Sequence, residues 1–292
     1  MPLLAILRHD LRTLKESWLV RIWLAASALL TALLVASNWN QFQSAPLVAS
    51  LLFPYLVFPW FLVVMVLGVN PVSGSRIDAL ADGFLSRPVT RYEYLLAVWA
   101  SRVAVVLGGY LLVMVPAVLI VTLAQRNVAP DPLTVYGIVG ALAVVGLVLT
   151  FQVSLGFLLG ILLRKPLLAI VVLLFVWYPV NMLLSTFKLE SLSPISLSQA
   201  IPTLLRQPWR GVEAEPGPSD EDAQLEALRA QAAHFLSVLS GGAPQRQRAA
   251  NTPFFDHPEY KDFSLWRVVL GYGVPTLAAV GLATLWFCLR DL

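Results

Sequence analysis

Long apolar segments alternate with shorter polar connections along most of the chain. Most of these segments have about the 20 residues that a helix needs to cross a bilayer core about 30 Å thick. None of them shows the period-two alternation of a membrane β-barrel strand. The pattern predicts about six transmembrane helices: Leu19–Ser37, Ala45–Val69, Leu95–Ala124, Leu133–Leu163, Leu167–Phe187 and Leu265–Leu289. We therefore expect an all-α polytopic membrane protein.

The residues before the first span carry leucines at helical spacing, with basic residues on the other faces. The leucines are Leu4, Leu7, Leu11 and Leu14, and the basic residues are Arg8, Arg12 and Lys15. This pattern is typical of a helix that lies at the membrane interface, and it predicts such a helix over Leu3–Trp18. A cleaved signal peptide is disfavoured, because the apolar stretch that follows has about 18 residues and exceeds the usual apolar region of 7–15.

A polar insertion, residues 188–264, separates the fifth and sixth spans. Its first part, Ser191–Trp209, has the composition of a re-entrant or interfacial helix. A second helix is predicted to begin at Ser219, before three acidic residues, and to end at Gly241. The insertion either caps the outer mouth of the protein or forms a site for a substrate or partner. The expected organisation is thus residues 1–187 with five spans, the insertion 188–264, and the last span with a short tail, 265–292.

The distribution of basic residues predicts the orientation. If the N-terminus is cytoplasmic, the two short outer loops hold only Arg126, and the insertion is too long for the rule to count. The inner segments then hold Arg8, Arg12, Lys15, Arg21, Arg76, Arg87, Arg91, Arg164, Lys165 and Arg290. Inner loops of membrane proteins carry the excess of Lys and Arg. We therefore expect both termini to be cytoplasmic, the insertion to be outside, and the protein to reside in the cell membrane.

The composition excludes several classes of protein. Hydrophobic residues make up 58% of the chain and charged residues only 13%, with a mean hydropathy of +0.75, whereas soluble proteins carry about 25% charged residues. An ordinary soluble enzyme and a disordered chain are therefore excluded. A single cysteine, Cys288, excludes a disulfide scaffold. The net charge of +3 comes from dispersed basic residues, so nucleic acid is not a predicted partner.

The predicted spans lack the residues that membrane enzymes and self-powered carriers use. The three histidines, His9, His234 and His257, all lie outside the spans, and the spans hold no Asp or Glu. This argues against a metal site, an intramembrane protease and an ion-coupled carrier. No lysine follows a glycine as it does in a phosphate-binding loop. We therefore expect no catalytic residues and no cofactor in this chain, and an energy source in a partner.

The polar residues within the spans include Arg102, Gln152, Ser154 and Asn181. One interpretation is that Gln152 and Asn181 form interhelical hydrogen bonds, while Arg102 extends its charged end to the inner surface. The other is that polar residues, Gln152, Ser154 and Asn181 among them, line a transport path.

The connection between the second and third spans, residues 70–94, has the most informative pattern. Ser75 and Asp78 resemble a capping box, and Pro88 would stop the helix that they begin. Thr90 and Glu93 form a second capping box at the start of the third span. The apolar residues of this connection share one helical face: Ile77, Leu80, Ala81 and Phe84. The pattern predicts a short amphipathic helix, either plainly interfacial or a docking site for a cytosolic partner.

This connection resembles the permease subunits of ABC-2 type transporters. The matching segments are Gly74-Ser75-Arg76, Gly83-Phe84-Leu85 and Ser86-Arg87-Pro88-Val89-Thr90-Arg91. Two departures are Ser75, where the family usually has an acidic residue, and Phe84, where Thr or Ser is common. The resemblance extends more weakly to the whole layout, from the N-terminal helix to the insertion before the last span.

The resemblance implies a membrane-spanning subunit that forms the pathway of an exporter. It implies that the connection contacts a cytosolic ABC ATPase, which binds ATP and magnesium, and that two permease copies or homologues pair. The residues implied in ATPase coupling are Ser75, Arg76, Asp78, Asp82, Phe84, Arg87 and Pro88. A non-transporting membrane scaffold or assembly subunit is the alternative, since it would have the same spans without ATPase docking.

Overall fold

The structure is a computed structural model that describes residues 2–69, 90–124, 126, 128, 131, 133–163, 166–186, 193–207 and 265–289. All the regular elements among these residues are helices, as predicted. They are α1 (Pro2–Glu16), α2 (Trp18–Asn38), α3 (Ser44–Leu56), α4 (Trp60–Val69), α5 (Arg91–Leu123), α6 (Val135–Leu162), α7 (Pro166–Thr186), α8 (Pro194–Leu205) and α9 (Leu265–Leu289).

Five segments in the described part are long and apolar enough to cross a membrane. They are Trp18–Asn38, Ser44–Val69, Tyr92–Leu123, Val135–Leu162 and Leu265–Leu289. The fifth predicted span corresponds to α7, which has 21 residues and begins with the apolar stretch Pro166–Trp177. The layout therefore agrees with about six predicted spans and with a short helix before the first of them.

The second span, predicted over Ala45–Val69, is interrupted near one of its prolines. It consists of α3 and α4, and the helix is interrupted at residues 57–59. Pro59 lies in this interruption, directly before the first residue of α4, where its missing backbone N–H is tolerated because the first turn of a helix leaves that group without a partner. The carbonyl of Pro59 accepts the backbone N–H of Leu62 at 3.2 Å in the first turn of α4.

Helix α3 lies at the centre of the bundle, in contact with α2, α5, α6 and α8. It is apolar on every side, which is the pattern expected of a helix that is surrounded by others. Helix α6 packs extensively on α9 and α4 and also contacts α5 and α8. Each span runs antiparallel to the span that precedes it in sequence. We call the end of the bundle with α1 the α1 end, and the opposite end the α8 end.

Glycines bring α4 and α6 together near the α1 end. A Cβ atom added to Gly68 would lie 2.7 Å from the carbonyl oxygen of Val153 and 3.1 Å from the Cα atom of Gly156. A Cβ atom added to Gly160 would lie 2.6 Å from the carbonyl oxygen of Val69. Small residues permit this close approach of two backbones in membrane helices. The last turn of α4 is therefore held directly against α6.

The first part of the insertion forms the predicted helix, α8. It packs against α3 and the start of α6, with Leu197, Ile201 and Leu204 almost fully buried. Residues 193–207 of the insertion thus belong to the helical bundle. The second helix predicted in the insertion, from Ser219 to Gly241, lies outside the described residues.

Candidate functional site

The predicted coupling residues lie within residues 70–89, outside the part of the chain that the structure describes. They are Ser75, Arg76, Asp78, Asp82, Phe84, Arg87 and Pro88, and their role stays a prediction. The structure does describe both points where this segment joins the bundle. One is Val69 at the end of α4, and the other is Thr90 before α5.

The second capping box is confirmed at the start of α5. The backbone N–H of Thr90 donates to Oε2 of Glu93 at 3.1 Å, and the side chain of Thr90 caps the first turn in return. The two contacts satisfy N–H groups that have no partner within the helix. They also define where the segment ends and the rigid helix begins.

Arg102 does not extend to the inner surface as one interpretation expected. Arg102 is only 7% exposed, and its Nη1 atom donates to the carbonyl oxygen of Leu67 at 3.0 Å. Leu67 lies in the last turn of α4, where the carbonyls have no partner within the helix and carry the negative end of the helix dipole. A positive guanidinium is well suited to that position. Arg102 therefore links α5 to the end of α4.

Asp10 brings α1 to the same place. Its carboxylate Oδ2 accepts a hydrogen bond from the hydroxyl of Ser101, and it is close enough to interact electrostatically with Arg102 and Tyr94. Leu14, four residues later, is buried, and Leu11 packs against the core. The second half of the leucine stripe predicted for α1 thus faces the bundle beside this carboxylate, whereas Leu4 is 57% exposed.

Sequence reasoning missed Asp10, although a signal was present. Asp10 lies three residues after Leu7 and four before Leu14, so the helical period places it on the apolar face. An acidic residue on such a face needs a polar partner, because burial of an unpaired charge is costly. We call the group of Asp10, Ser101, Arg102 and the carbonyl of Leu67 the α1-end junction. It joins α1 and the first half of α5 to the last turn of α4, just before residues 70–89.

The polar residues predicted in the spans have different surroundings. Ser154 accepts a hydrogen bond from Nε1 of Trp99 at 2.9 Å and donates to the carbonyl of Thr150 at 2.8 Å, so it links α6 to α5. Gln152 is fully buried, yet neither atom of its amide has a hydrogen-bond partner among the described residues. The interhelical bond expected of Gln152 is therefore not formed there. Asn181 lies in α7, and its side chain is outside the described part.

An ion pair at the α8 end was not predicted. Nε of Arg206 donates to Oδ1 of Asp131 at 2.8 Å, and the side chain of Asp131 is only 3% exposed. The other carboxylate oxygen accepts the backbone N–H of Ala45, also at 2.8 Å. Since Ala45 lies in the first turn of α3, the carboxylate also complements the positive end of that helix. Asp131 thus joins the start of α3 to the end of α8.

Arg126 holds the neighbouring connection between α2 and α3. Its Nη1 atom donates to the carbonyl of Phe42 at 3.2 Å, its Nη2 atom bonds to the hydroxyl of Ser44, and its guanidinium lies 5.5 Å from the ring centre of Trp39. Partial burial lowers the pKa of Arg126, while Asp131 acts in the opposite direction. An arginine keeps its charge through such a shift. This cluster can fix helix ends, but it contains no pair of groups arranged for catalysis.

Comparison with known proteins adds a family. A family model described as "ABC-2 family transporter protein" matches residues 83–292, which is more than two thirds of the chain. The match includes α5 to α9, the whole insertion and the last residues of the predicted coupling segment. No curated protein and no solved structure matches the chain.

Proposed function

We propose that this chain, which belongs to the ABC-2 transporter family, forms the pathway of an exporter powered by a separate cytosolic ABC ATPase. Membership of the family makes it a membrane transport component, a permease subunit that is not itself catalytic. The family match over more than two thirds of the chain carries the proposal. It is supported by a sequence without a phosphate-binding loop, since a transporter of this kind needs ATP and magnesium bound elsewhere.

Residues 70–94 are the proposed contact with the ATPase. In this proposal, ATP binding closes the ATPases and pushes on the helix predicted over residues 75–88, where Phe84 anchors the contact. Arg76, Asp78, Asp82 and Arg87 contribute charge around it, and Ser75 and Pro88 set the ends of the helix. The attachment of both ends supports this mechanism, because Val69 is packed against α6 and Thr90 is part of a capping box. A push on the segment would therefore reach α4 and α5 directly.

Replacement of Phe84 tests the contact. Phe84→Ala should remove an aromatic anchor worth about 2 kcal/mol, which corresponds to an ATPase affinity about 30-fold weaker. The measurement is the amount of ATPase recovered with the purified chain at matched expression. Phe175→Ala is the control, because this aromatic side chain lies in α7 and is 76% exposed. Equal recovery with both variants would contradict the docking role and favour the scaffold function.

The charge at the same contact can be tested separately. Arg87→Glu should weaken ATPase recovery by charge reversal, and Arg8→Glu is the control, because Arg8 is an exposed arginine of α1. A loss of the same size in both variants would point to a general effect of net charge at the membrane surface.

The proposed orientation has both termini in the cytoplasm and residues 188–264 outside, in the cell membrane. The asymmetry of basic residues supports it. The test is cysteine labelling in a Cys288→Ser background, because Cys288 is exposed. In intact cells, Ser219→Cys should react with an impermeant reagent, and Ser75→Cys should react only after permeabilisation. Labelling of Ser75→Cys from outside would overturn the orientation.

We propose that two permease copies, or this chain and a homologue, form the functional unit. About six spans enclose little room for a pathway, and α3 already fills the centre of the bundle. Asn181 of α7 is the proposed polar residue of the pathway, whereas Gln152 and Ser154, also predicted there, are fully buried inside the single chain. Native mass measurement of the complex in detergent should find two permease chains, and an active complex with a single six-span chain would disprove the pairing.

A further inference from the structure

We propose that Asp10 and Arg102 are positioning residues of the coupling mechanism. They hold α1, the end of α4 and the start of α5 as one unit, so that a displacement of residues 70–89 moves the three helices together. This inference rests on the proposed function, because it assumes that an ATPase acts on that segment. It assigns a role to the α1-end junction, which lies outside the segment itself.

The first step of the argument is the position of Arg102. The hydrogen bond from Arg102 to Leu67 joins residues that are 35 positions apart, and the segment 70–89 lies between them in sequence. Leu67 is two residues before the end of α4. The bond therefore joins the two helices that flank this segment in sequence. Helix α4 cannot move away from α5 without breaking it.

The second step is the charge of the junction. Arg102 is buried with its Nε atom lacking a hydrogen-bond partner among the described residues. A buried cation is costly unless an opposite charge compensates it. Asp10, whose carboxylate accepts the bond from the adjacent Ser101, places a negative charge near Arg102 from α1. The position of α1 on the bundle and the stability of the bond between α4 and α5 are therefore linked.

The third step is the alternative that the same contacts merely stabilise the fold. An apolar side chain of similar size at position 102 would fill the space without a buried charge, and such replacements are often neutral or stabilising. A contact whose only role is packing has no need of two ionised groups on separate helices. The bonds from Ser101 to Asp10 and from Arg102 to Leu67 instead give the three helices a defined register, which a coupling unit requires.

The test uses the complex of the chain with the ABC ATPase that co-purifies with it, reconstituted in nanodiscs. The variants are Arg102→Gln, Arg102→Lys, Asp10→Asn and the double variant Asp10→Asn/Arg102→Gln. Arg12→Gln is the control, because Arg12 lies on the exposed side of α1 in an ion pair with Glu16. The measurements are the ATPase recovered per chain, and kcat and KM for ATP.

We expect equal ATPase recovery and an unchanged KM in every variant. The kcat should fall by about fivefold or more in Arg102→Gln and in Asp10→Asn, the lower range of coupling effects between sites. Arg102→Lys should retain most of the activity, because it keeps the charge and a donor. The double variant should lose less activity than the product of the two single effects, since the two side chains interact electrostatically.

An unchanged kcat in Asp10→Asn and Arg102→Gln would overturn the inference. So would an equal fall in Arg12→Gln, or effects that multiply in the double variant. If Arg102→Gln does not accumulate in the membrane, Asp10→Asn and Arg102→Lys decide the question by the same criteria. Failure of the wild-type chain to recover any ATPase is a different result, because it overturns the proposed function and this inference with it.

Discussion

The contact between α4 and α6 predicts that Gly160→Ala destabilises the chain. An alanine Cβ atom at position 160 would lie 2.6 Å from the carbonyl oxygen of Val69 and 3.2 Å from its Cα atom. The first of these distances must widen to at least 3.0 Å, and both neighbours are backbone atoms, which cannot turn away as a flexible side chain can. The substitution should therefore push the end of α4 away from α6.

The expected magnitude combines two opposing effects. Overpacking of a close contact costs about 1–3 kcal/mol, whereas replacement of a helical glycine by alanine gains about 1 kcal/mol. Gly108→Ala is the matched control, because Gly108 lies in α5 and an added Cβ atom would meet nothing within 4 Å. The two variants share the gain in helix propensity, so the difference between them isolates the packing cost of about 1–3 kcal/mol.

Thermal unfolding of the purified chain in detergent measures this difference. For a chain of this size, 1 kcal/mol corresponds to roughly 2–4 °C in Tm, so Gly160→Ala should unfold roughly 2–12 °C below Gly108→Ala. A Tm for Gly160→Ala equal to or above that of Gly108→Ala would refute the reasoning. It would mean that α4 and α6 are not held together by the backbone contact that the glycines permit.

Further substitutions test three groups of buried polar side chains. Arg206→Ala should lower the stability by about 3 kcal/mol, because it leaves the buried Asp131 carboxylate without its counter-ion. Asp131→Asn should lower the stability by less. A lower Tm for Asp131→Asn than for Arg206→Ala would contradict this. Gln152→Leu should raise the Tm, since it removes a buried amide that has no partner among the described residues. The expected gain in stability is about 1–3 kcal/mol. A lower Tm would show that the amide is paired. Trp99→Phe should cost about 0.6 kcal/mol through the lost bond to Ser154, and a double variant with Ser154→Ala should cost no more.

The sequence predicted well which segments are helices and where they lie along the chain, because both depend on local patterns. The length of an apolar run is enough to predict a span, and the start of α5 followed from Thr90 and Glu93 alone. The interruption between α3 and α4 was visible as Pro59, but a proline within a span predicts a kink or a break equally well. Local pattern alone did not distinguish the two outcomes.

The contacts between helices were not predictable in the same way. Arg102 is 35 residues from Leu67 in sequence, and only packing brings the end of α4 to the guanidinium. Asp131 is 75 residues from Arg206 in sequence, and no local pattern marks it as the partner of that arginine. The period of a helix gives the face that each residue occupies, but it does not give the neighbour of that face. The α1-end junction and the ion pair at the α8 end both depend on that neighbour.

The same contacts bear on how the proposed transporter would change access. At the α8 end, a Cβ atom at Gly137 of α6 would lie 2.4 Å from the carbonyl oxygen of Leu205 in α8, and Asp131 holds α3 to that site. At the α1 end, Gly160 packs on Val69 of α4. Helix α6 is therefore fixed to its neighbours at both ends, and packed contacts of this kind resist gradual deformation. In the proposed pair, access would then change by rotation of whole subunits at the face between them.

A disulfide engineered between α4 and α6 should leave ATP turnover of the complex unchanged, whereas a disulfide between the two subunits should stop it. Loss of turnover with the first disulfide would show that the bundle itself must rearrange.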